Sequence, residues 1–524
     1  MISERAAIIP LDDRADDGDV SSGFDPSAVK FFVAWVFLVW YTVVWVICLI
    51  GYVQIRRKYK KPPINQPRSS QEASELPFVS ILRPVKGLDS FLRTAIASTC
   101  LLDYPRSKYE LIICVASPHD PAIPVINEVL SKYSDVNGRL LIGEEDVGPN
   151  PKIRNMSRGY REAIGDIIWV LDSNIWVVPG TLSRSVRMLE GKDRGGKGYK
   201  LVHHLPICVD VTSEQGDEVQ TSELDTITDT AEDQPLIAAS TPFWSRLWRI
   251  GGGRLEENFL SSSHCKFYTA INTVAIAPCV VGKSNLFRRS HLAQVTRNAD
   301  YPEGEGILAF AENICEDHLL AERLWLNPVD EEETGARQWD KHGMGEDIVF
   351  QPVCMMRVTD YLARRTRWLR VRKYTVLSAT MLEPGTESFL CSFLGAWGIT
   401  TLFSERCTQL LSYLVTDPST WVAFGVLWLL SISLWAAVDR TLFTYLHSYR
   451  SVEVDKNAPF FITDTEKRAF GAWLLQWIGR EGFALGVWTW AMWPGEVNWR
   501  GGRYRVRWKD CKVEEIGRDA GKRD

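Results

Sequence analysis

The stretch Asp166-Ile-Ile-Trp-Val-Leu-Asp-Ser-Asn-Ile175, DIIWVLDSNI, sets five apolar residues in a row, then presents a carboxylate, then turns polar. A short continuous apolar run closed by turn residues reads as a strand buried on both faces. Runs of the same kind lie upstream at FVSIL (78–82), YELIICV (109–115) and RLLI (139–142). Helical patterns fall between them, at Asp89 to Leu101 and Pro121 to Tyr133. Strand and helix alternating in this way predict a mainly parallel α/β sheet covered on both faces. Ligands of such sheets sit at the carboxyl ends of the strands, so Asp89, the 116–120 loop and Asp172 should line one edge.

The whole chain has 524 residues and a net charge of −5, which speaks against nucleic acid as a partner. Its 21 Trp lie largely near apolar runs at the two ends, where indole suits a membrane interface. The 11 Cys follow no CxxC or regular spacing, so neither a disulfide framework nor a zinc site is indicated, and a reduced, cytosol-facing domain fits them.

Residues 1–30 are acidic and polar (Asp12, Asp13, Asp16, Asp17, Asp19, Asp25) and are expected to be disordered. Residues 31–53 carry no charge, and at about 1.5 Å per residue they span a bilayer core. The run is too long, and its leader too acidic, for a cleaved signal peptide. The basic RRKYKK that follows, Arg56 to Lys61, sets the N-terminus in the lumen and the next segment in the cytosol. A Pro/Ser/Gln-rich linker closes the 54–75 segment. The central domain then covers 76–385, with polar stretches at 211–254 and 327–347 reading as surface insertions. Residues 386–495 return to apolar sequence in three runs, Ser388–Ser404, Trp421–Val438 and Phe470–Trp493, the last interrupted by Arg480 and Glu481. Short, interrupted runs can cross, re-enter or lie in the interface. The basic tail 496–524 belongs in the cytosol by the charge rule, which requires an even number of crossings; three candidate spans conflict with that.

Three clusters carry candidate chemistry. Asp172 at a strand's carboxyl end can hold Mg²⁺ or Mn²⁺ on a nucleotide diphosphate, with Asn174 two residues on and on the same side. Asp is also common where strands simply end in turns, and the motif alone favours that ordinary reading. Glu316 and Asp317, followed by His318, open an apolar helical stretch. They are either favourable charges at a helix N-terminus or a base for an attacking hydroxyl. Arg364, Arg367 and Trp368, within RRTRWLRVRK, either face lipid headgroups or clamp a diphosphate. Lys152, in NPKIRN, can approach a phosphate or the base. Gly282, in VVGKS, allows close backbone approach to a sugar. His264, in LSSSHCKFY, is the weakest candidate.

Taken in order, ILRPVKGLD, LDYP, ICV…DPAI, LLIG…VGPNPKIRN, DIIWVLDSNI, LVHHLP, GILAFAENICEDH, RRTRW, LEPGTESF and PGEVNWRGGRYRVR resemble the ceramide glucosyltransferases over nearly all of residues 76–510. The resemblance implies a membrane enzyme whose cytosolic catalytic domain has the GT-A glycosyltransferase fold, resident in the Golgi or endoplasmic reticulum. It would transfer glucose from UDP-glucose to the primary hydroxyl of ceramide with inversion. Asp89, with Lys86 and Asp120 beside it, would belong to the nucleotide-sugar edge. Asp172 would hold Mg²⁺ or Mn²⁺ and the diphosphate, and Asp317 would be the general base with Glu316 adjacent. Arg364, Arg367 and Trp368 would form the RxxRW group at the diphosphate or acceptor. The chain departs from the family at His318, where Tyr is frequent, and at Ser117, where an acidic residue is frequent. The rival readings are a processive polysaccharide synthase of the chitin or hyaluronan type and a non-catalytic membrane scaffold.

Overall fold

The computed structural model describes residues 25–63, 74–192, 195–212, 242–413, 419–463, 468–493, 495–499, 502–507 and 511–516. The expected disordered tail up to residue 24, most of the linker and the middle of the 211–254 insertion lie outside these residues.

The four strands read from the sequence form as expected: β1 (Val79–Val85), β2 (Tyr109–Val115), β3 (Gly138–Ile142) and β4 (Ile167–Leu171). They are parallel, and three more strands extend them: β5 (Leu201–Asp210), β6 (Ser284–Arg288) and β7 (Gly343–Val353). The spatial order is β3-β2-β1-β4-β6-β5-β7. β6 runs antiparallel to both β4 and β5, so the sheet is mixed. Along β4, Ile167, Trp169 and Leu171 enter one core cluster and Ile168 and Val170 the other. That is why the run is apolar at every position: each face packs helices.

Two polar stretches differ from expectation. Residues 327–347 are no simple surface insertion: Trp339 enters the core, and Gly343 to Asp347 open β7. Glycines and acids at the start of an edge strand mask it in the sequence. The Gly251–Arg254 turn likewise opens a buried helix, Gly252–Phe259. A Cβ on Gly252 would stand 2.0 Å from the Arg357 carbonyl oxygen, so the glycine marks close backbone packing.

The N-terminal helix extends beyond its apolar run, from Pro26 to Lys58, with Asp25 capping it through the Ser27 N–H at 2.9 Å. It packs on Ser388–Leu402 and Thr420–Leu446: Phe37 lies 5.4 Å from Trp397, and Trp45 lies 4.3 Å from Trp435. Pro26–Lys58 and Thr420–Leu446 are long and apolar enough to cross a membrane; Ser388–Leu402 is apolar but only 15 residues long. The two long helices turn Val39, Leu49, Leu429 and Leu430 outward, a pattern that suits a lipid environment.

The last helix, Phe470–Met492, carries Arg480 and Glu481 inward. Arg480 pairs with Glu481, with Asp439 at 3.3 Å and with Glu387 at 3.4 Å, while Lys266 pairs with the other oxygen of Asp439. Its charges therefore face the bundle interior. A small antiparallel sheet of β8 (Val497–Trp499), β9 (Gly502–Val506) and β10 (Val513–Glu515) closes the described chain.

Candidate active site

The carboxyl ends of β1 and β4 and the start of β6 meet at one edge of the sheet. Arg83 on β1 is fully buried beneath it. Its guanidinium donates to the carbonyls of Asp172 (3.0 Å), Ser173 (3.1 Å) and Ile175 (2.7 Å), and so fixes the turn after β4. Burial pulls Arg83 down to about 9, against the opposing fields of Cys100, Asp172 and Asp89. Asp89 accepts a hydrogen bond from the Ser173 hydroxyl, which ties the β1 loop to the same turn.

Asp172 stands between two ammonium groups. Lys152 approaches one oxygen at 3.0 Å and Lys283 the other at 3.1 Å. Lys283 reaches it because β6 pairs with β4, and the Asp172 N–H donates to the Lys283 carbonyl at 3.1 Å. Asn174 lies 3.5 Å from the Lys283 ammonium. Burial lowers Lys283, Asp172 holds it up, and the Arg364 guanidinium lowers it further.

Lys152 also links this edge to the acid pair. Its ammonium lies 3.3 Å from Glu316 and 3.3 Å from the Gly282 carbonyl. A Cβ on Gly282 would stand 3.1 Å from both the Lys152 nitrogen and an Asp317 oxygen, so that glycine leaves the space open. Asp172, Lys152, Glu316, Asp317 and Gly282 therefore occupy one cleft. Burial opposes the Lys152 charge, but Asp172, Glu316 and Asp317 outweigh it and hold the ammonium above the ordinary lysine range. Burial raises both Glu316 and Asp317 above the ordinary carboxylate range, and Lys152 pulls each back. Glu316 and Asp317 open the helix Glu316–Leu326. Asn150 braces Glu316 at 3.1 Å while capping its own helix through the Lys152 and Ile153 N–H groups.

The remaining sequence candidates spread around this centre. Arg364 pairs with the buried Glu256 at 3.2 Å and donates to Gln351 at 3.1 Å, and it faces Lys283 electrostatically. Arg367 and Trp368 sit half-buried on the same helix, Val358–Thr375, and Trp368 packs 6.4 Å from Phe259. Asp120 accepts from the Gly87 N–H at 2.9 Å and the Ala122 N–H at 2.9 Å, so its carboxylate ties the β1 loop to a helix start. Lys86 is exposed on that loop. His264 ends a π-helical turn, Leu260–His264, and stacks on Tyr268 at 5.1 Å. Sequence reasoning missed Arg83, Ser173, Asn150 and Lys283. Arg83 and Lys283 were within reach, since a charged residue inside an apolar strand run, or beside its glycine, calls for a partner.

The edge offers a metal one hard carboxylate. Among the described residues, no group of three or more His, Cys, Asp or Glu side chains is assembled to hold an ion. The donor set fits Mg²⁺ or Mn²⁺ arriving with phosphate and water ligands, and does not fit a resident ion.

The profile of glycosyl transferase family 21 matches residues 42–217 and 218–511. A ceramide glucosyltransferase of Pyricularia oryzae is 41% identical over 91% of this chain and 94% of its own length. One from Gibberella zeae is 39% identical over 90% and 92%. Among solved structures, a mannosyltransferase from Pyrobaculum calidifontis is similar over 80% of this chain and 98% of its own, at 12% identity and a TM-score of 0.40. The profile covers most of the chain, which belongs to glycosyl transferase family 21.

Proposed function

We infer that this protein transfers glucose from UDP-glucose to the primary hydroxyl of ceramide, with inversion, at a membrane surface. The names of its relatives support the acceptor and the transfer. The observation that carries the mechanism is the single ammonium of Lys152, shared between Asp172 on the nucleotide edge and the acid pair.

Asp317 takes the proton of the ceramide hydroxyl. The oxygen attacks the anomeric carbon, and the bond from that carbon to the diphosphate breaks from the opposite face, so UDP leaves with its charge. A carboxylate whose pKa is raised by burial is a stronger base than an exposed one. Lys152 and Lys283, with Arg364 behind them, offer positive charge to the departing diphosphate. A divalent ion at Asp172, when bound, supplies further charge neutralisation to the same phosphates. Asp89 and Lys86 serve the nucleotide end, with Asp120 holding their loop. Arg367 and Trp368 serve the diphosphate or acceptor side. The catalytic domain faces the cytosol, in keeping with the basic run after the first helix; residence in the Golgi or endoplasmic reticulum rests on the family resemblance.

The test is a panel of UDP-sugars supplied with fluorescent ceramide to membranes holding the full chain. Glucosylceramide with a β linkage by proton NMR, from UDP-glucose above the other donors, is the expected result. Polymer without glycolipid, or an α linkage, contradicts the reading.

A further inference from the structure

The N-terminal helix Pro26–Lys58 and the helix Thr420–Leu446 leave a groove of about 230 Å³ between them. Against the roughly 10–15 Å³ that admits one water, this is room for a stretch of hydrocarbon chain. Trp45, Leu49 and Tyr52 form one wall, and Ala437, Val438 and Thr441 the other. Leu49, Ala437 and Thr441 are exposed, so the groove is open along its outer side. From Trp45 to Tyr52 it runs about 10 Å, much of the roughly 15 Å of hydrocarbon in one leaflet. Of the two hydroxyls on its walls, Thr441 donates back to the Ala437 carbonyl at 2.8 Å. The Tyr52 hydroxyl makes no hydrogen bond among the described residues and is left to meet a ligand.

The same helical stripes continue to a basic end. Arg56 stands four residues beyond Tyr52, and Tyr445 four beyond Thr441, each on its helix's groove face. The Arg56 guanidinium lies 4.6 Å from the centre of the Tyr445 ring and 5.9 Å from that of Tyr52. Arg450 approaches the same Tyr445 ring at 5.5 Å. Among the described residues, neither guanidinium has an ion pair or a hydrogen bond. Glu453, three residues past Arg450, is taken by Arg184 at 3.1 Å. Two like charges drawn to one ring repel each other, and an anion shared between them removes that repulsion. The Tyr445 hydroxyl donates to the carbonyls of Arg56 (3.1 Å) and Tyr59 (2.8 Å), capping groups at the helix end that would otherwise oppose an anion.

The basic run after the first helix sets this end on the cytosolic side, the leaflet in which anionic lipids collect. A basic pocket between membrane helices at that level suits a phospholipid head. A ceramide carries no charge and leaves both arginines unanswered; free phosphate leaves the groove empty.

We propose that the groove and its two arginines bind an anionic glycerophospholipid, with one acyl chain between Leu49 and Ala437 and the phosphate at Arg56 and Arg450. The site lies apart from the reaction centre and does not depend on which sugar is transferred. Tyr59, beside it, is buried and donates to the Gly345 carbonyl on β7 at 3.3 Å. A bound lipid therefore joins the two membrane helices where they meet the catalytic sheet and steadies that seam.

The test uses the full chain in detergent micelles and a fluorescent phosphatidylserine, with fluorescent phosphatidylcholine and inorganic phosphate as comparisons. Phosphatidylserine should bind about tenfold more tightly than phosphatidylcholine and raise the melting temperature, which millimolar phosphate should leave unchanged. Arg56→Gln combined with Arg450→Gln should weaken phosphatidylserine binding about tenfold or more. Arg57→Gln combined with Lys60→Gln removes the same charge from the same basic run and should stay within about twofold. Ala437→Trp fills the groove from an exposed position and should also weaken binding about tenfold. Equal loss from the two charge pairs overturns the proposal, because only diffuse attraction to a basic surface then remains. Phosphatidylcholine bound as tightly as phosphatidylserine, displacement of the lipid by inorganic phosphate, or binding untouched by Ala437→Trp overturns it too. If Ala437→Trp fails to fold, the two charge pairs decide.

Discussion

Lys152 links the two halves of the proposed reaction centre, because one ammonium pairs with Asp172 and with Glu316. Its effect on Asp317 has a definite sign. Burial raises the base above the carboxylate range and Lys152 lowers it, so transfer persists above that pKa and is lost as pH falls through it. Lys152→Met removes the lowering charge. The acid limb of kcat/KM should then move to higher pH by about one to three units, the size of an opposite charge's effect at this range. A pH–rate profile checks it, and an unmoved limb would detach Lys152 from the base. Lys283→Met leaves Asp317 alone and should raise KM for UDP-glucose instead. Because Asp172 is a single carboxylate, chelation should lower activity with UDP-glucose without lowering the melting temperature of the free protein, readable by differential scanning fluorimetry. Asp172, Asp317, Lys152 and Gly282 were legible as candidates, Asp172 and Asp317 each with an ordinary reading beside the functional one until the resemblance set them in order. Their convergence was not, because Lys283 reaches Asp172 only through the β4–β6 pairing, which joins segments more than a hundred residues apart.

The Glu312–Cys315 loop, which precedes the acid pair, is held by the far end of the chain. Val513 on β10 donates its N–H to the Glu312 carbonyl at 2.8 Å, and the Asn313 side chain donates to the Cys511 carbonyl at 3.0 Å. Val513→Pro deletes that donor, so kcat should fall about tenfold while UDP-glucose binding persists; equal loss of both would make the strand a general stabiliser instead. The first four strands were readable because each is mostly apolar. β5 and β7 were hidden, since LVHHLP and GMGED interrupt the run with imidazoles, proline, glycines and acids. The imidazoles have partners: His204 sits between the hydroxyls of Ser185 and Ser284, and burial lowers it to about 3, leaving it neutral. Such satisfaction is a tertiary fact that no local pattern carries.

Across the molecule, the membrane-side helices lock onto the catalytic sheet through inward charges. Lys266, on the helix after the π turn, pairs with Asp439, which Arg480 and the Trp477 indole also engage. Read along the chain, Arg480 and Glu481 break an apolar run; folded, they are what the bundle closes around. Asp439→Leu strands the buried Lys266 ammonium and removes one of three carboxylate partners of Arg480; it should cost about 3–5 kcal/mol, seen as early thermal aggregation in detergent, with Lys266→Met restoring part of it. A close approach joins the same helices: a Cβ on Gly51 would stand 2.0 Å from the Lys266 carbonyl oxygen, so Gly51→Leu should loosen the N-terminal helix. The proposed reaction requires a soluble nucleotide-sugar and a membrane lipid to meet at one base. The most direct test of that base is the rate of glucosylceramide formation by Asp317→Asn in membranes, at saturating UDP-glucose. A loss of about 10²- to 10⁴-fold with UDP-glucose binding retained is the predicted result. Transfer at the unsubstituted rate would contradict it.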